Sequence, residues 1–383
     1  MEMNQVHTIA NALTQQYVGS DAVLNADLSN VVDIGKAVMD LQHLDHYVAS
    51  LIDQVGRFVF VNRTYVGKTP SIMMDAWEYG AVKEKITYEG LPTAEANDTW
   101  NLQNGVSYDP NIFYKPTVSA KFYSKQNTYD IPMSFAQRQV KSAFQSATQL
   151  NAFFSMIENA IQKSMTVKMD QLAEIAINNM IALTLNSANG NRAINLLAGY
   201  NTDMSPATTL TAAKAITDPG FIRYASFIMG LYAERLQRLS VLFNIGGKDR
   251  FTPPDKLHII LLSEFASAAR VYLQSDVYHD AFVALPKAET VPYWQGSGTD
   301  YSFMSTSKIN VKAAADTTVN VEQTGILGVM FDRDALGVSN LERRVTTNWN
   351  ARAEFFNNWY KFEAGYFNDT NENFIVFYVA DAS

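Results

Sequence analysis

Cysteine is absent from the 383 residues. Disulfides, thiolate metal sites and cysteine nucleophiles are therefore excluded, and stability must come from packing and from contacts between chains. No apolar run approaches the roughly eighteen residues a membrane helix needs, so no membrane partner is expected. The first ten residues, with Asn4, Gln5 and His7, lack the basic-then-apolar layout of a secretion signal. A protein made and used in a cytoplasm is expected. Basic excess is missing too: the formal net charge is −8. That argues against a nucleic-acid reader, whose surface is basic, yet it is compatible with an acidic wall around nucleic acid. Glycine and proline are missing altogether between Pro132 and Gly190.

What is present is an ordinary globular composition, 47% hydrophobic and 18% charged, in a chain long enough for about two domains. Aromatic residues make up 12%, and many lie in mixed segments such as Phe355-Phe356-Asn357-Asn358-Trp359-Tyr360. Rings with polar tips suit interfaces, and a tyrosine-rich core accounts for them equally well.

From Ser29, the positions Val31, Ile34, Val38, Leu41, Leu44, Val48, Leu51 and Val55 form one helical stripe, interrupted by Gly35 and stopped by Gly56. The period then changes. Arg57–Val61 with Tyr65-Val66 reads as a strand, Ala81–Tyr88 as an exposed strand, and 89–110 as polar and turn-rich. Ile112–Tyr123 is strand-like again, with Pro116 marking an edge. These features describe a two-stranded excursion with little cover of its own, which needs a partner surface. Ser134 with Gln137 makes a capping-box pattern. The apolar series Val140, Phe144, Ala147, Leu150, Phe154, Ile157, Ile161, Met165, Met169, Leu172, Ile175 and Met180 predicts a helix over about 137–185, on the order of 70 Å long, with a possible break near Ser164–Thr166. Further on come a helix over Phe221–Leu242, a buried strand Leu257–Leu262, a helix over Glu264–Gln274 capped by Ser263, and strands at Gly325–Phe331 and Asn373–Ala380. Strand followed by helix implies a mixed α/β domain.

A search for chemistry finds little. His43 and His46 flank Asp45 but lack a third strong ligand. His258 reads as a hydrogen-bonded core histidine and His279 as a turn residue. Gly246-Gly247-Lys248 lacks the remaining features of a phosphate loop, and Gly296-Ser297-Gly298 is a loop rather than a nucleophile elbow. Asp369, Asn371 and Glu372 read better as a hairpin turn than as calcium ligands, and Asp332 and Asp334 around Arg333 as a structural ion pair. No catalytic residue, cofactor or metal site is expected.

Several stretches taken together resemble the major capsid proteins of tailed bacteriophages with the Hong Kong 97-type fold. They are Tyr79–Ile86, Lys256–Ser263, Gly325–Ala335 and Asn368–Phe374. The resemblance implies an α+β fold divided into an N-terminal arm (1–56), an E-loop β-ribbon (57–111) and a peripheral domain with a spine helix (112–200). An axial domain (201–320) and returning peripheral strands (321–383) complete it. It implies an icosahedral shell of hexamers and pentamers enclosing double-stranded DNA without sequence-specific binding, with a portal protein as partner. Because the arm starts almost at once, a separate scaffolding protein is expected. Val82, Lys83, Lys85, Ile86 and Tyr88 are the candidate subunit-interface residues. Some relatives cross-link covalently through lysine and asparagine, but nothing about Lys83 and Lys85 supports that reaction here. An encapsulin-like compartment shell is the alternative within the same fold. An α/β enzyme using His43, His46 or the Gly246 loop, and a tail or portal protein, are the others.

Overall fold

The computed structural model describes residues 3–19, 23–25, 29–39, 47, 50–51, 69–74, 83–88, 94, 99–115, 117–123, 127–143, 145–187, 190–274, 288–294, 308–312 and 320–381. Among them the strands are β1 (Met73–Met74), β2 (Lys83–Tyr88), β3 (Val118–Tyr123), β4 (Asn127–Ala136), β5 (Ala193–Asn195), β6 (Leu257–Leu262), β7 (Glu289–Val291), β8 (Lys308–Lys312), β9 (Asn320–Thr324), β10 (Ile326–Asp332), β11 (Leu336–Asn350), β12 (Phe355–Asn368) and β13 (Phe374–Tyr378). The helices are α1 (Met3–Tyr17), α2 (Val31–Met39), α3 (Gln137–Ala143), α4 (Ala147–Asn186), α5 (Leu196–Asp203), α6 (Ala212–Ala215), α7 (Pro219–Leu236) and α8 (Ser263–Gln274). The chain divides into two compact units, one of residues 1–78, 126–173 and 338–366, the other of 79–125, 174–337 and 367–383.

The first unit is built on a sheet ordered β1-β11-β12-β4. β4 runs antiparallel to β12 from Phe355↔Ala136 to Ala364↔Asn127. Alternate residues of β12, including Phe356, Asn358, Tyr360 and Phe362, are buried. The mixed polar-aromatic run at 355–360 is thus a period-two strand, and Phe356 and Tyr360 are core rings. They pack with Leu150, Phe153, Phe154, Ile157 and Ile161 of α4. Ala10, Leu13, Val31 and Val38 of α1 and α2, with Tyr47 and Leu51, join the same cluster. The amphipathic stripe expected of an arm therefore finds cover inside its own unit. His7 Nε2 lies 2.8 Å from the Leu24 carbonyl, and Tyr17 OH lies 2.8 Å from Ser50 Oγ.

The helical stretch breaks where Ser146 intervenes and is continuous through Ser164–Thr166. Ser146 Oγ accepts from Gln149 N at 3.2 Å, an N-cap that starts α4 afresh. The expected cap at Ser134 is displaced by two residues. Ser134 lies in β4 and donates to Asn357 Oδ1 at 2.6 Å, while Gln139 Oε1 reaches back to the Ala136 N–H at 3.1 Å. That is the glutamine half of a capping box without its hydroxyl partner. The 40 residues of α4 make a rod of about 60 Å.

The second unit centres on a sheet ordered β5-β13-β10-β6-β7. β10, buried at every position, pairs antiparallel with β13 and β6. A strand buried on both faces reads as a continuous apolar run, which is why Leu257–Leu262 and the 326–331 stretch were recognisable. Asp218 caps α7 by accepting from Phe221 N at 2.7 Å, ahead of Pro219 at the first helical position. α7 ends at Leu236 rather than continuing to Leu242. Thr252 N donates to the Leu236 carbonyl at 2.7 Å, and Ser240 pairs with Arg250 in an antiparallel bridge. Gly325 has φ +69, and a Cβ there would strike the Val379 carbonyl, so glycine is required where β10 begins. The expected strand at 57–66 lies outside the described residues, and Ile112–Tyr123 is strand only over β3.

Candidate assembly surface

β2 and β3 form a separate antiparallel ribbon in the second unit, paired from Lys83↔Tyr123 to Tyr88↔Val118. Its return strand lies beyond the 57–111 bounds expected for the ribbon. The period of two sends Lys85, Thr87, Ser119, Lys121 and Tyr123 to one face, all half-buried. Glu84, Ile86, Val118, Ala120 and Phe122 take the other face, all exposed. The usual polarity is inverted: lysines and hydroxyls point in, and Ile86, Val118 and Phe122 point out.

The inward lysines end on the turn between β12 and β13. Lys85 Nζ is 2.8 Å from Asp369 Oδ2 and 2.8 Å from Glu372 Oε1. Lys121 Nζ is 2.8 Å from Asp369 Oδ1. Arg250 Nε donates to Glu372 Oε1 at 3.1 Å. The Asp369 side chain is only 1% exposed, so its charge persists because it is neutralised from both strands. Burial by itself would raise its pKa, but hydrogen bonds from Lys121 and Lys85 outweigh that and hold it at about 2. Burial likewise opposes the charge on Lys85, and the two carboxylates overcome it, so its pKa is raised. Tyr123 is pushed up by burial and then by the Asp369 charge, which keeps the phenol neutral.

The turn itself is fixed from several sides. Asp369 N donates to the Ala335 carbonyl at 2.6 Å and Gly246 N to the Thr370 carbonyl at 2.8 Å. Asn371 N donates to Asp369 Oδ1 at 3.0 Å, and Asn373 Nδ2 to Thr252 Oγ1 at 3.1 Å. A Cβ on Gly246 would collide with Asn371 Oδ1. The ribbon therefore grows from a buried, fully wired socket.

A pH dependence follows. A carboxylate with a depressed folded pKa stabilises the fold above its unfolded value, near 3.8, and that contribution is lost as pH falls toward 2. We expect about 1–2 kcal/mol from Asp369, allowing for the water that reaches Lys121. Urea midpoints of the parent and Asp369→Asn should differ at pH 6 and converge as pH approaches 2. A gap of constant size across that range would contradict this assignment.

Beyond the socket, the ribbon carries exposed rings. Trp100 is 95% exposed, Phe113 84% and Tyr114 82%, with Leu102, Val106 and Ile112 exposed beside them. Scattered exposed apolar residues are ordinary, but such a concentration on one excursion marks an interaction surface.

Of the residues singled out from sequence, Lys85 is committed to the socket and Ile86 faces outward. Lys83 and Tyr88 are placed as strand positions, and Val82 lies outside the described residues. His43, Asp45, His46, His279 and Gly296-Ser297-Gly298 also lie outside them. His258 is not the hydrogen-bonded histidine expected. Its Nε2 has no partner, its ring stacks on Phe331 at 5.9 Å, and burial lowers its pKa. Gly246-Gly247-Lys248 is a turn, with Lys248 N donating to Asn244 Oδ1 at 2.8 Å and Gly247 at φ +61. The ion pair near Arg333 is made by Asp334 with Lys256, at 3.1 Å. Asp369 and Glu372 do form the turn expected, and their second role as the ribbon's anchor was not read. The alternation Lys83, Lys85, Thr87 against Ser119, Lys121 was the available signal for an inward polar face. The acids that meet it lie some 250 positions away, beyond the reach of any local pattern.

The model of the Phi29-like phage major capsid protein family matches residues 6–378. No curated protein matches the sequence. Among solved structures, a chain from the head fibre and inner core protein gp22 structure of native bacteriophage P68 is 12% identical, with a TM-score of 0.50 over 83% of this chain and 87% of that one. A chain from the capsid of Staphylococcus phage Andhra is 10% identical, with a TM-score of 0.49 over 84% of this chain and 87% of that one. At these identities what is shared is the fold, the α+β architecture of the Hong Kong 97 type.

Proposed function

This chain belongs to the Phi29-like phage major capsid protein family, and on that premise we propose how its subunit joins its neighbours. The protein forms the icosahedral head of a bacteriophage and is a structural component of the virion, not an enzyme. The encapsulin-like shell and the α/β enzyme give way to this reading. Subunits self-assemble, and in our proposal they do so as hexamers and pentamers around double-stranded DNA that is held without sequence reading. The β2–β3 ribbon serves as the E-loop and lies over the adjacent subunit, with Ile86 among the contacts and Lys85 fixing the root. Residues 112–200 and 321–383 supply the peripheral domain with α4 as its spine, and 201–320 the axial domain. Residues 1–56, the arm of this scheme, brace the subunit's own core. A portal and a separately made scaffold are the further partners.

The observation that carries this reading is the inverted ribbon. A monomer has no reason to bury lysines at the root of an excursion and expose Ile86, Val118 and Phe122 along it. A lattice does, because a neighbour covers the apolar side. A standard interface buries roughly 1,600 Å², and head-to-tail contacts of this kind close into rings. Electron microscopy of the expressed chain, alone and with head genes from the same phage, tests the proposal. Closed icosahedral shells with six- and five-fold capsomers are expected, whereas tubes, stacked rings without closure, or dispersed monomers would contradict it.

A further inference from the structure

The second unit carries another exposed apolar surface, and its charge is opposite to that of the ribbon's tip. Between β2 and β3, residues 89–114 contain Glu89, Glu95, Asp98 and Asp109 and no lysine or arginine. The described part of that segment, 99–115, is where Trp100, Phe113 and Tyr114 are exposed. Residues 235–251, which follow the end of α7, contain Arg235, Arg238, Lys248 and Arg250 against one acid, Asp249. Leu239, Val241, Leu242 and Phe251 are all exposed there.

This second surface is a built platform rather than a loose loop. Ser240 and Arg250 exchange backbone hydrogen bonds at 2.9 and 3.1 Å, Thr252 N is tied to the end of α7, and Asn244 closes the 244–248 turn through both of its amide atoms. Leu239, Val241 and Leu242 on one arm and Phe251 on the other are therefore held out to solvent by a fixed backbone. Arg250 also donates to Glu372, which wires the platform to the socket of the same subunit's ribbon.

Resting on the reading of the ribbon as the element that covers a neighbour, we propose that the occupant of this platform is the ribbon tip of the next copy of the chain. Rings meet Leu239, Leu242 and Phe251, and the acidic flank of the tip meets Arg238 and Arg235. Charge complementarity selects this seat, since apolar contact alone would leave orientation open. The contact is head-to-tail, tip to platform, which is the geometry that closes rings. It also links one joint to the next. The residue that supports the seat, Arg250, supports the root of the seat-bearing subunit's own outgoing ribbon.

The test uses assembled heads. A benzophenone amino acid replaces Phe113, chains with and without heavy isotopes are co-assembled, and cross-linked peptides are mapped by mass spectrometry. Cross-links from one copy into residues 235–251 of another are expected. Cross-links into a different segment of another copy would overturn the seat while leaving the ribbon reading intact. Cross-links confined to the same copy would overturn both. Charge reversal supplies an independent arm. Arg238→Glu and Asp109→Arg should each lower assembly yield by about tenfold, more steeply at low salt, and the combination should recover most of the loss. Losses that simply multiply in the double variant would overturn the pairing, even where each single variant assembles poorly for other reasons.

Discussion

Replacing Asp369 by asparagine should destabilise the subunit by about 3 kcal/mol and release the ribbon from its root. Breaking a buried ion pair from one side costs about 3–5 kcal/mol, because the remaining charge is left without compensation. Here one carboxylate serves both strands, so its loss strands two ammonium groups at once. The effect falls at the lower end of the range because Lys85 keeps Glu372 and the Lys121 side chain, 35% exposed, can turn to water. Asparagine retains an acceptor for the Asn371 N–H, so the turn keeps its shape and the loss reports charge alone. Urea unfolding measures the total. Amide exchange locates it: β2 and β3 should lose protection first, while β10 and β13 keep theirs. Uniform loss of protection across the second unit would mean that the turn, and not the ribbon's attachment, depends on Asp369.

Phe122→Asp should do the reverse, leaving the subunit folded and preventing the head from forming. Phe122 is 63% exposed on the outward face, where substitutions usually change stability by about 0.5 kcal/mol or less. In the shell that face is covered, and an unpaired carboxylate there must be desolvated or must hold the interface open. Truncating a well-packed interface ring costs 2 kcal/mol or more, and burying an unpaired charge adds further cost. A penalty of about 4 kcal/mol per contact weakens each by roughly a thousandfold, and a closed lattice repeats it at every joint. Sedimentation should find soluble, natively folded subunits and no shells, and Phe122→Leu should restore assembly. Normal heads from Phe122→Asp would show that this face is not covered.

How much of this was legible in the sequence depended on how local each determinant was. The apolar runs of β6, β10 and β13 were readable because strands covered on both faces carry their environment in their own residues. The long helix was readable for the same reason, through its spacing and its freedom from glycine and proline, although Ser146 rather than Ser164–Thr166 divides it. β4 and the β11–β12 pair were missed. Their buried members, such as Phe135, Phe356 and Tyr360, alternate with Ser134, Asn357 and Lys361, and that alternation was taken for interface chemistry. The stripe from Val31 to Leu51 was recognised as amphipathic, but its cover is the first unit's own core. The socket was the least legible feature. Lys85 and Lys121 meet Asp369 only because the sheet of the second unit brings the C-terminal turn beneath the ribbon, a fact no window of sequence contains.

The central claim is that the ribbon is anchored within its own subunit and covered by another. Hydrogen exchange measured on free subunits and on assembled heads tests this directly. The account predicts that β2 and β3 near Lys85 and Lys121 are protected in both states, while residues 99–115 are unprotected in the free subunit and become protected on assembly. Equal protection of 99–115 in the two states would contradict it.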